Sequence, residues 1–436
     1  MVTWRTSAVL AALAVTLPVW PYPWLGLVVY LLLAATAAGV DVALAAPLAG
    51  IDVRRHGAKQ VRLGETAAVT LTVANRGDRT LRAEIRDGWV PSAGATPFSW
   101  RLTLHPAGQR ELVTSLTPTR RGDRPAVRVT LRSYGPLGLA YRQPVGKRAA
   151  RLTPPWSVRV LPPFTSRKHL PEKLSRLRVL DGNVVTRGRG QGTEFDALRE
   201  YVIGDDVRSI DWRAMARRET VVVRTWRPER DRRVLCVIDT GRTSAARVAD
   251  IPRLDAALDA CLLLSALASR ADDRVDLLAV DTAVRASVQN VSKGSLLPRL
   301  MQAMAPLQPA LVETDFELVA AEVLRRERKR ALVILFTALE PGAIGEGLLP
   351  ALPQLTARHQ VLVAAVHDPV LTTMAARRGD ATAVYAAAAA ERTLAERAHV
   401  RDALSKHGVE VVDAPADQFA SRVSDAYLRL KAAGRL

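Results

Sequence analysis

The chain predicts a multidomain protein of three folded parts in series: a two-helix membrane hairpin, an antiparallel β-sandwich and an α/β domain built on a mainly parallel sheet. Three observations carry this. No residue between Arg5 and Asp41 is charged over 35 positions. From residue 51 to about 163, short runs alternate polar and apolar side chains between turn signals. From residue 234 onward, apolar strands alternate with amphipathic helices. A chain of 436 residues also exceeds what one hydrophobic core holds, about 250 to 300 residues. The expected division is 1–50, 51–165, 166–233 and 234–436.

The uncharged stretch is too long for one crossing of a bilayer, which takes about 20 residues. Pro18, Pro21 and Pro23 divide it into helices expected at 2–20 and 24–43, turning at Pro21-Tyr22-Pro23, with Trp20, Tyr22 and Trp24 at interface level. Arg5 precedes the pair, and Arg54, Arg55, Lys59 and Arg62 follow it. The bias toward cytoplasmic positive charge then places the protein in the inner (plasma) membrane with the bulk of the chain cytoplasmic. The basic segment beside the hairpin would face anionic lipid headgroups, at about 1 kcal/mol per well-placed cation. A signal peptide cleaved near Ala43-Leu44-Ala45 is the competing reading; the length of the run and its prolines count against it.

The net charge of +19 is unevenly spread. Residues 51–165 carry 20 Arg or Lys against 7 Asp or Glu, residues 166–233 carry 17 against 11, and residues 234–436 carry 24 of each. A nucleic-acid partner is not expected, since aromatics are sparse in the basic segment and no recognition-helix, RNP-type or zinc-finger pattern occurs. Cys236 and Cys261 fall on an expected strand and helix without a metal or disulfide pattern, so both are expected as buried, inert thiols.

The sandwich is read from runs at 68–73, 100–104, 110–116 and 126–131, punctuated by Asn75-Arg76-Gly77-Asp78, Arg121-Gly122-Asp123 and Gly135-Pro136-Leu137-Gly138. An Arg-, Lys- and Gly-rich connector follows at 164–191. The α/β part reads as strands at 234–239, 275–280, 283–289, 331–337, 361–366 and 409–413, with helices at 254–271, 296–304, 316–328, 348–358, 391–407 and 419–431. That alternation predicts a sheet covered on both faces. The cluster Arg325 to Arg330 suits a helix C-terminus.

In such sheets ligands bind at the carboxyl ends of the strands. The first strand ends in Asp239-Thr240-Gly241-Arg242-Thr243, where an Asp followed by hydroxyl residues two and four positions later would suit magnesium, a hard cation that takes oxygen ligands. Only part of that pattern is present. The alternative is that Asp239 accepts backbone N–H bonds while nearby threonines bond locally.

Between the sandwich and the sheet lies a dense mixture of charges and aromatics at 192–231. Arg199, Arg208, Arg213 and Arg217 are matched there by Glu194, Glu200, Asp205, Asp206 and Asp211, with Trp212 expected beneath them as an apolar anchor. Such a stretch either joins the two domains or presents a polar face to a partner.

Gly192-Thr193-Glu194-Phe195, Leu198-Arg199-Glu200-Tyr201, Gly204-Asp205-Asp206, Arg208, Ile210-Asp211-Trp212 and Ala216-Arg217 resemble the signature of the bacterial family called domain of unknown function 58. Arg120-Arg121-Gly122 and Gly135-Pro136-Leu137-Gly138-Leu139 fit the same family's arrangement. The resemblance implies that residues 234–414 form a von Willebrand factor A-like domain of Rossmann type and that the protein works near MoxR-type AAA+ ATPases. Carried over by position, it implies a metal-ion-dependent adhesion site at Asp239, Thr243 and Thr314. The plus-two hydroxyl is replaced by Gly241, and the later Asp is expected where Ala338 stands. Magnesium is the implied ion, with Glu340 or Asp315 as compensating ligands.

The expected function is therefore that of a membrane-tethered cytosolic scaffold or adaptor binding a protein partner, such as a MoxR-type ATPase or its client. The other class is a divalent-ion-dependent enzyme using the carboxylates of the signature. No Walker loop, HExxH, GxSxG or paired Cys and His supports it, and the seven His residues are scattered. His367, after an expected strand, is read as a loop residue.

Overall fold

The computed structural model describes residues 1–187, 194–202, 210–218, 220–227, 232–248 and 250–436. It divides into two compact units, Met1–Pro163 and Phe164–Leu436.

The first unit opens with α1 (Trp4–Ala14) and α2 (Pro23–Leu44). At 1.5 Å per residue α2 spans about 33 Å, enough for a hydrocarbon core of about 30 Å, whereas α1 spans about 17 Å. The first helix is thus shorter than expected: a 3-10 turn at Leu17–Val19 holds Pro18, which has no N–H with which to continue a helix. Among the described residues one helical stretch, Pro23–Gly50, is long and apolar enough to cross a membrane. Tyr22 and Trp24 are exposed, while Trp20 packs edge-on against Tyr30 and donates to its hydroxyl (3.0 Å).

Two sheets follow. Strands β1 (Ile51–Gly57), β2 (Gln60–Arg62), β3 (Ala67–Asn75), β4 (Leu81–Trp89), β5 (Ala95–Thr96), β6 (Ser99–Leu104), β7 (Gln109–Leu116), β8 (Gly122–Tyr134) and β9 (Tyr141–Arg142), helix α3 (Lys147–Arg151) and strand β10 (Ser157–Leu161) come in that order. One sheet runs β1-β3-β7-β5 and the other β2-β10-β8-β4-β6, with β9 on β8; all pairs are antiparallel except β10 with β2. Alternate residues point inward, so Val53, Leu71, Val73 and Leu112 of one sheet meet Leu81, Ile85, Leu102, Val129 and Leu131 of the other. Gly122 and Asp123, read as a turn, begin β8 instead, where Asp123 pairs with Arg159 (2.7 Å). Arg55, expected among membrane-facing cations, is buried: it pairs with Asp87, donates to Pro154 O (2.6 Å) and lies over Trp89, whose Nε1 donates to Asp87 (2.8 Å).

The second unit begins with α4 (Leu170–Arg187), where a connector was expected. Its Leu177 is buried, and Lys173 bonds Asp425 at 2.8 Å, so this segment is part of the packed unit. Next come β11 (Glu194–Glu200), α5 (Trp212–Arg218) and β12 (Val222–Arg227), then β13 (Arg233–Asp239), β14 (Arg247–Val248), β15 (Ile251–Pro252), α6 (Arg253–Arg270), β16 (Arg274–Val280), β17 (Val284–Val288), α7 (Lys293–Met304), α8 (Phe316–Arg326), β18 (Leu332–Phe336), α9 (Leu349–Thr356), β19 (Gln360–His367), α10 (Pro369–Ala376), α11 (Ala381–Lys406), β20 (Glu410–Pro415) and α12 (Ala416–Ala432). The main sheet runs β17-β16-β13-β18-β19-β20, parallel except for β17 at one edge. Its four central strands, β16, β13, β18 and β19, are buried along nearly their whole length, as a sheet covered on both faces requires. Leu235, Val237, Leu335 and Val363 pack with α8, α9 and α11; α6 and α12 bury their own apolar stripes, with Phe336 against Phe419. Cys236 and Cys261 are free and buried, and a hydrogen bond from the Cys236 thiol to Cys261, together with burial, pushes that thiol well above its ordinary range.

Candidate functional site

The order of the parallel strands fixes where a site can form. From β13 the chain moves outward to β16 on one side and then crosses to β18 on the other, so the connections leave the sheet in opposite directions between β13 and β18. A crevice opens at the carboxyl ends of two such strands, and ligands of open α/β sheets bind there. Asp239 ends β13 and Thr337 follows β18, which puts both at this point.

Asp239 is 2% exposed and each of its carboxylate oxygens accepts two bonds. Oδ1 accepts from Gly241 N (2.7 Å) and Thr314 Oγ1 (2.5 Å), and Oδ2 accepts from Thr243 Oγ1 (3.1 Å) and Thr337 Oγ1 (2.6 Å). Ser244 Oγ adds a bond to the Asp239 carbonyl (2.6 Å). The loop carrying Thr314 is stitched down by Ala310 N to Thr240 O (2.7 Å) and Arg242 N to Val312 O (2.8 Å). Asp239, Thr243 and Thr314 are thus brought together, as the family resemblance implies.

The same geometry tests magnesium. A carboxylate offers about four lone-pair positions, and here a hydrogen occupies each. The second carboxylate expected at Ala338 is a buried alanine. Asp315 caps α8 by accepting from Leu318 N (2.9 Å), and Glu340 pairs with Arg253 (2.9 Å), so neither compensates. A Cβ on Gly241 would lie 2.2 Å from Thr314 Oγ1, which leaves no room for the plus-two serine. One carboxylate saturated by donors does not fit a cation that needs charge and open oxygen positions. Among the described residues no cluster of three or more His, Cys, Asp or Glu forms elsewhere.

Sequence reasoning missed Thr337, Ser244 and Asp281. Asp281 follows β16, accepts from Thr240 Oγ1 (3.1 Å), Thr282 N (2.6 Å) and Arg285 Nε (2.7 Å), and is fully buried. Burial works against its charge, but these bonds prevail and hold its carboxyl below the ordinary range. The signal was available: Val-Asp-Thr at 280–282 repeats the Asp-Thr ending of β13 at 239–240. His367 also lies at this end of the sheet, with Nδ1 3.0 Å from Asp413, which Arg397 also binds (2.7 Å); it is a paired, half-buried residue rather than a free loop histidine.

The signature stretch folds as an antiparallel hairpin of β11 and β12 with α5 between them. Glu194, Phe195, Arg199 and Glu200 lie on β11, with Phe195 opposite Trp226 and Arg199 opposite Val223. Tyr201 N donates to Val221 O (2.8 Å). Asp211 caps α5, its Oδ1 accepting from Arg213 N (3.0 Å) and Ala214 N (3.1 Å). Trp212, expected beneath the charges, is 63% exposed because it occupies the first turn of α5 on its solvent side. Arg217 is on the same helix. Gly204, Asp205, Asp206 and Arg208 lie outside the described residues, as do the ion pairs expected of them.

Residues 197–410 match the family model described as protein of unknown function DUF58. The chain is 29% identical over 194 residues to uncharacterized proteins of Mycobacterium tuberculosis, Rv1480, and Mycobacterium bovis, Mb1516; the match covers 44% of this chain and 60% of each relative. Among solved structures, the CARDB domain of the PF1109 protein from Pyrococcus furiosus, in complex with di-metal ions, is 16% identical over 28% of this chain and 92% of that domain, with a TM-score of 0.20. A likeness that slight carries no argument about this chain.

Proposed function

We propose that this protein is a membrane-tethered adaptor whose α/β unit is a von Willebrand factor A-like module that docks a protein partner at the carboxyl end of its sheet. The observation that carries the reading is the crevice between β13 and β18: its floor is a rigid set of hydroxyls around Asp239, and its rim holds the exposed pair Leu311 (84%) and Val312 (37%) beside the Arg242–Glu313 ion pair. Apolar side chains on a rigid loop, ringed by charge, suit a protein surface better than a small polar substrate. The apolar helix α2 is the tether in this reading, and the basic residues after it support an α/β unit on the cytoplasmic side. A MoxR-type AAA+ ATPase is the partner class that the family resemblance implies.

The test is co-purification of the full chain from detergent-solubilised membranes, with partners identified by mass spectrometry. The expected result is recovery of an AAA+ ATPase or an envelope protein with the parent and its loss with Leu311→Asp. Recovery of neither, or equal recovery with the variant, overturns the docking reading.

A further inference from the structure

The base of the two N-terminal helices is held by a loop of the same unit. Near the end of α2, Asp41 is fully buried; its Oδ1 accepts from Leu137 N (2.8 Å) and its Oδ2 from Leu139 N (2.7 Å) and Ala140 N (3.0 Å). A Cβ on Gly135 would sit 2.2 Å from Asp41 O, so only glycine allows the approach. From α1, Thr6 Oγ1 donates to Leu139 O (2.6 Å), and Thr3 Oγ1 donates to Gly138 O (2.8 Å). The loop at 135–140 is therefore fixed to both helices where they leave the apolar stretch.

Four arginines lie at this junction, Arg5 and Arg82 against the loop and Arg79 and Arg142 against the last residues of α2. Arg82 Nη1 donates to Pro136 O (3.1 Å), Arg79 Nη1 to Ala43 O (2.8 Å), and Arg142 Nε to Val42 O (2.7 Å). Arg5 lies on Gly138, its Nη1 2.9 Å from where a Cβ would stand. No carboxylate lies within ion-pair distance of any of the four among the described residues, and each keeps most of its five N–H donors for another acceptor. Leu137 on the loop is 59% exposed, and Trp4 at the start of α1 and Leu44 at the end of α2 are exposed too. Apolar side chains and a tryptophan at the same helix ends as guanidinium groups that have no carboxylate partner among the described residues match the boundary between hydrocarbon and headgroups.

We propose that Arg5, Arg79, Arg82 and Arg142 form a site for the phosphate headgroup of an anionic phospholipid. The inference rests on the membrane reading above and adds a defined place and ligand to it. Guanidinium groups bind phosphate oxygens by paired N–H donors, and carbonyl bonds to Ala43, Val42 and Pro136 orient three of them beforehand. Leu137 and Trp4 insert at the depth of the first acyl carbons, so a lipid rather than a free phosphate is the ligand.

The experiment uses the full chain, purified in mixed micelles holding equal phosphatidylglycerol and phosphatidylcholine, with retained lipid quantified by mass spectrometry. The parent is expected to retain phosphatidylglycerol in about tenfold excess, corresponding to about 1.4 kcal/mol. Two collar variants, Arg79→Gln with Arg142→Gln and Arg5→Gln with Arg82→Gln, each bring the ratio close to parity. The control pair Arg101→Gln with Arg110→Gln, on exposed strand positions elsewhere in the unit, leaves the excess in place. Parity in a parent that resists carbonate extraction from membranes overturns the lipid site while the tether stands. An equal loss in the control pair also overturns it, since the preference would then be diffuse. Extraction of the parent by carbonate overturns the tether and the lipid site with it.

Discussion

Replacing Asp239 by alanine isolates the centre of the candidate site. The substitution deprives four donors of their acceptor at once: Gly241 N–H and the hydroxyls of Thr314, Thr243 and Thr337. A buried donor left unpaired costs about 1 to 3 kcal/mol. The hydroxyls can rotate toward other acceptors, whereas the Gly241 N–H is fixed by the backbone, and the variant no longer buries a charge. These opposing effects leave a net loss of about 3 to 5 kcal/mol, a large share of a stability of about 5 to 15 kcal/mol. The assay is urea unfolding of the full chain in detergent, followed by hydrogen exchange of peptides from β13, β18 and residues 308–316. The midpoint for these peptides should fall by about 1 to 2 M, and residues 308–316 should exchange first because Thr314 loses its anchor. A loss below about 1 kcal/mol would refute the argument from saturated hydrogen bonds. So would a rise in the parent's midpoint with magnesium that Asp239→Ala abolishes.

Other substitutions test the rest of the fold. Asp87→Leu or Arg55→Met alone should cost about 3 to 5 kcal/mol by leaving one buried charge, while the double variant should recover most of that loss in urea unfolding; a purely additive double variant would contradict the pairing. Asp41→Ala should raise hydrogen exchange at Leu137, Leu139 and Ala140 about tenfold, because those amides lose their shared acceptor. His359 is buried, and both ring nitrogens lack a partner among the described residues; burial, with the Arg358 charge, lowers its pKa. The unfolded chain therefore takes up a proton near pH 6.5 before the folded one does, and stability falls as pH drops below that value, by at most about 1.4 kcal/mol per unit. His359→Asn should flatten the slope between pH 5 and 7, and an unchanged slope would assign it to other groups.

The α/β elements were legible because period and burial agree. The helix expected at 254–271 runs Arg253–Arg270, and the strand expected at 275–280 runs Arg274–Val280. Helix α10 and residues 381–385 of α11 were not, because that stretch is largely exposed and carries no apolar stripe; the alanines at 386–390 are helix formers and do lie in α11, whose start Asp380 caps by accepting from Ala383 N (2.7 Å). In the sandwich, Leu81–Trp89 alternates cleanly, yet charged residues at every second position hid it among the loops. At the site, Asp239, Thr243 and Thr314 follow from spacing and from a family pattern. Thr337 and Asp281 come from neighbouring strands, and the register of parallel strands is written in tertiary packing rather than in any local run.

The replacements at Gly241 and Ala338 belong together. With Thr314 Oγ1 seated 2.5 Å from Asp239, a side chain at 241 is excluded, and the buried alanine at 338 offers no oxygen to a cation. The donors that a metal site would aim at an ion are turned here onto Asp239, which fixes the loop at 308–315 and leaves Leu311 standing on its surface. In the proposed docking, binding on this surface depends on apolar contact and on the Arg242–Glu313 pair at the rim, whose exposure keeps its worth below about 1 kcal/mol. Partner capture should therefore survive EDTA unchanged, weaken little with added salt and drop at least tenfold with Leu311→Asp in a pull-down from solubilised membranes. Release by EDTA with recovery on added magnesium would show that an ion bridges the two proteins, and the closed arrangement around Asp239 would no longer account for binding.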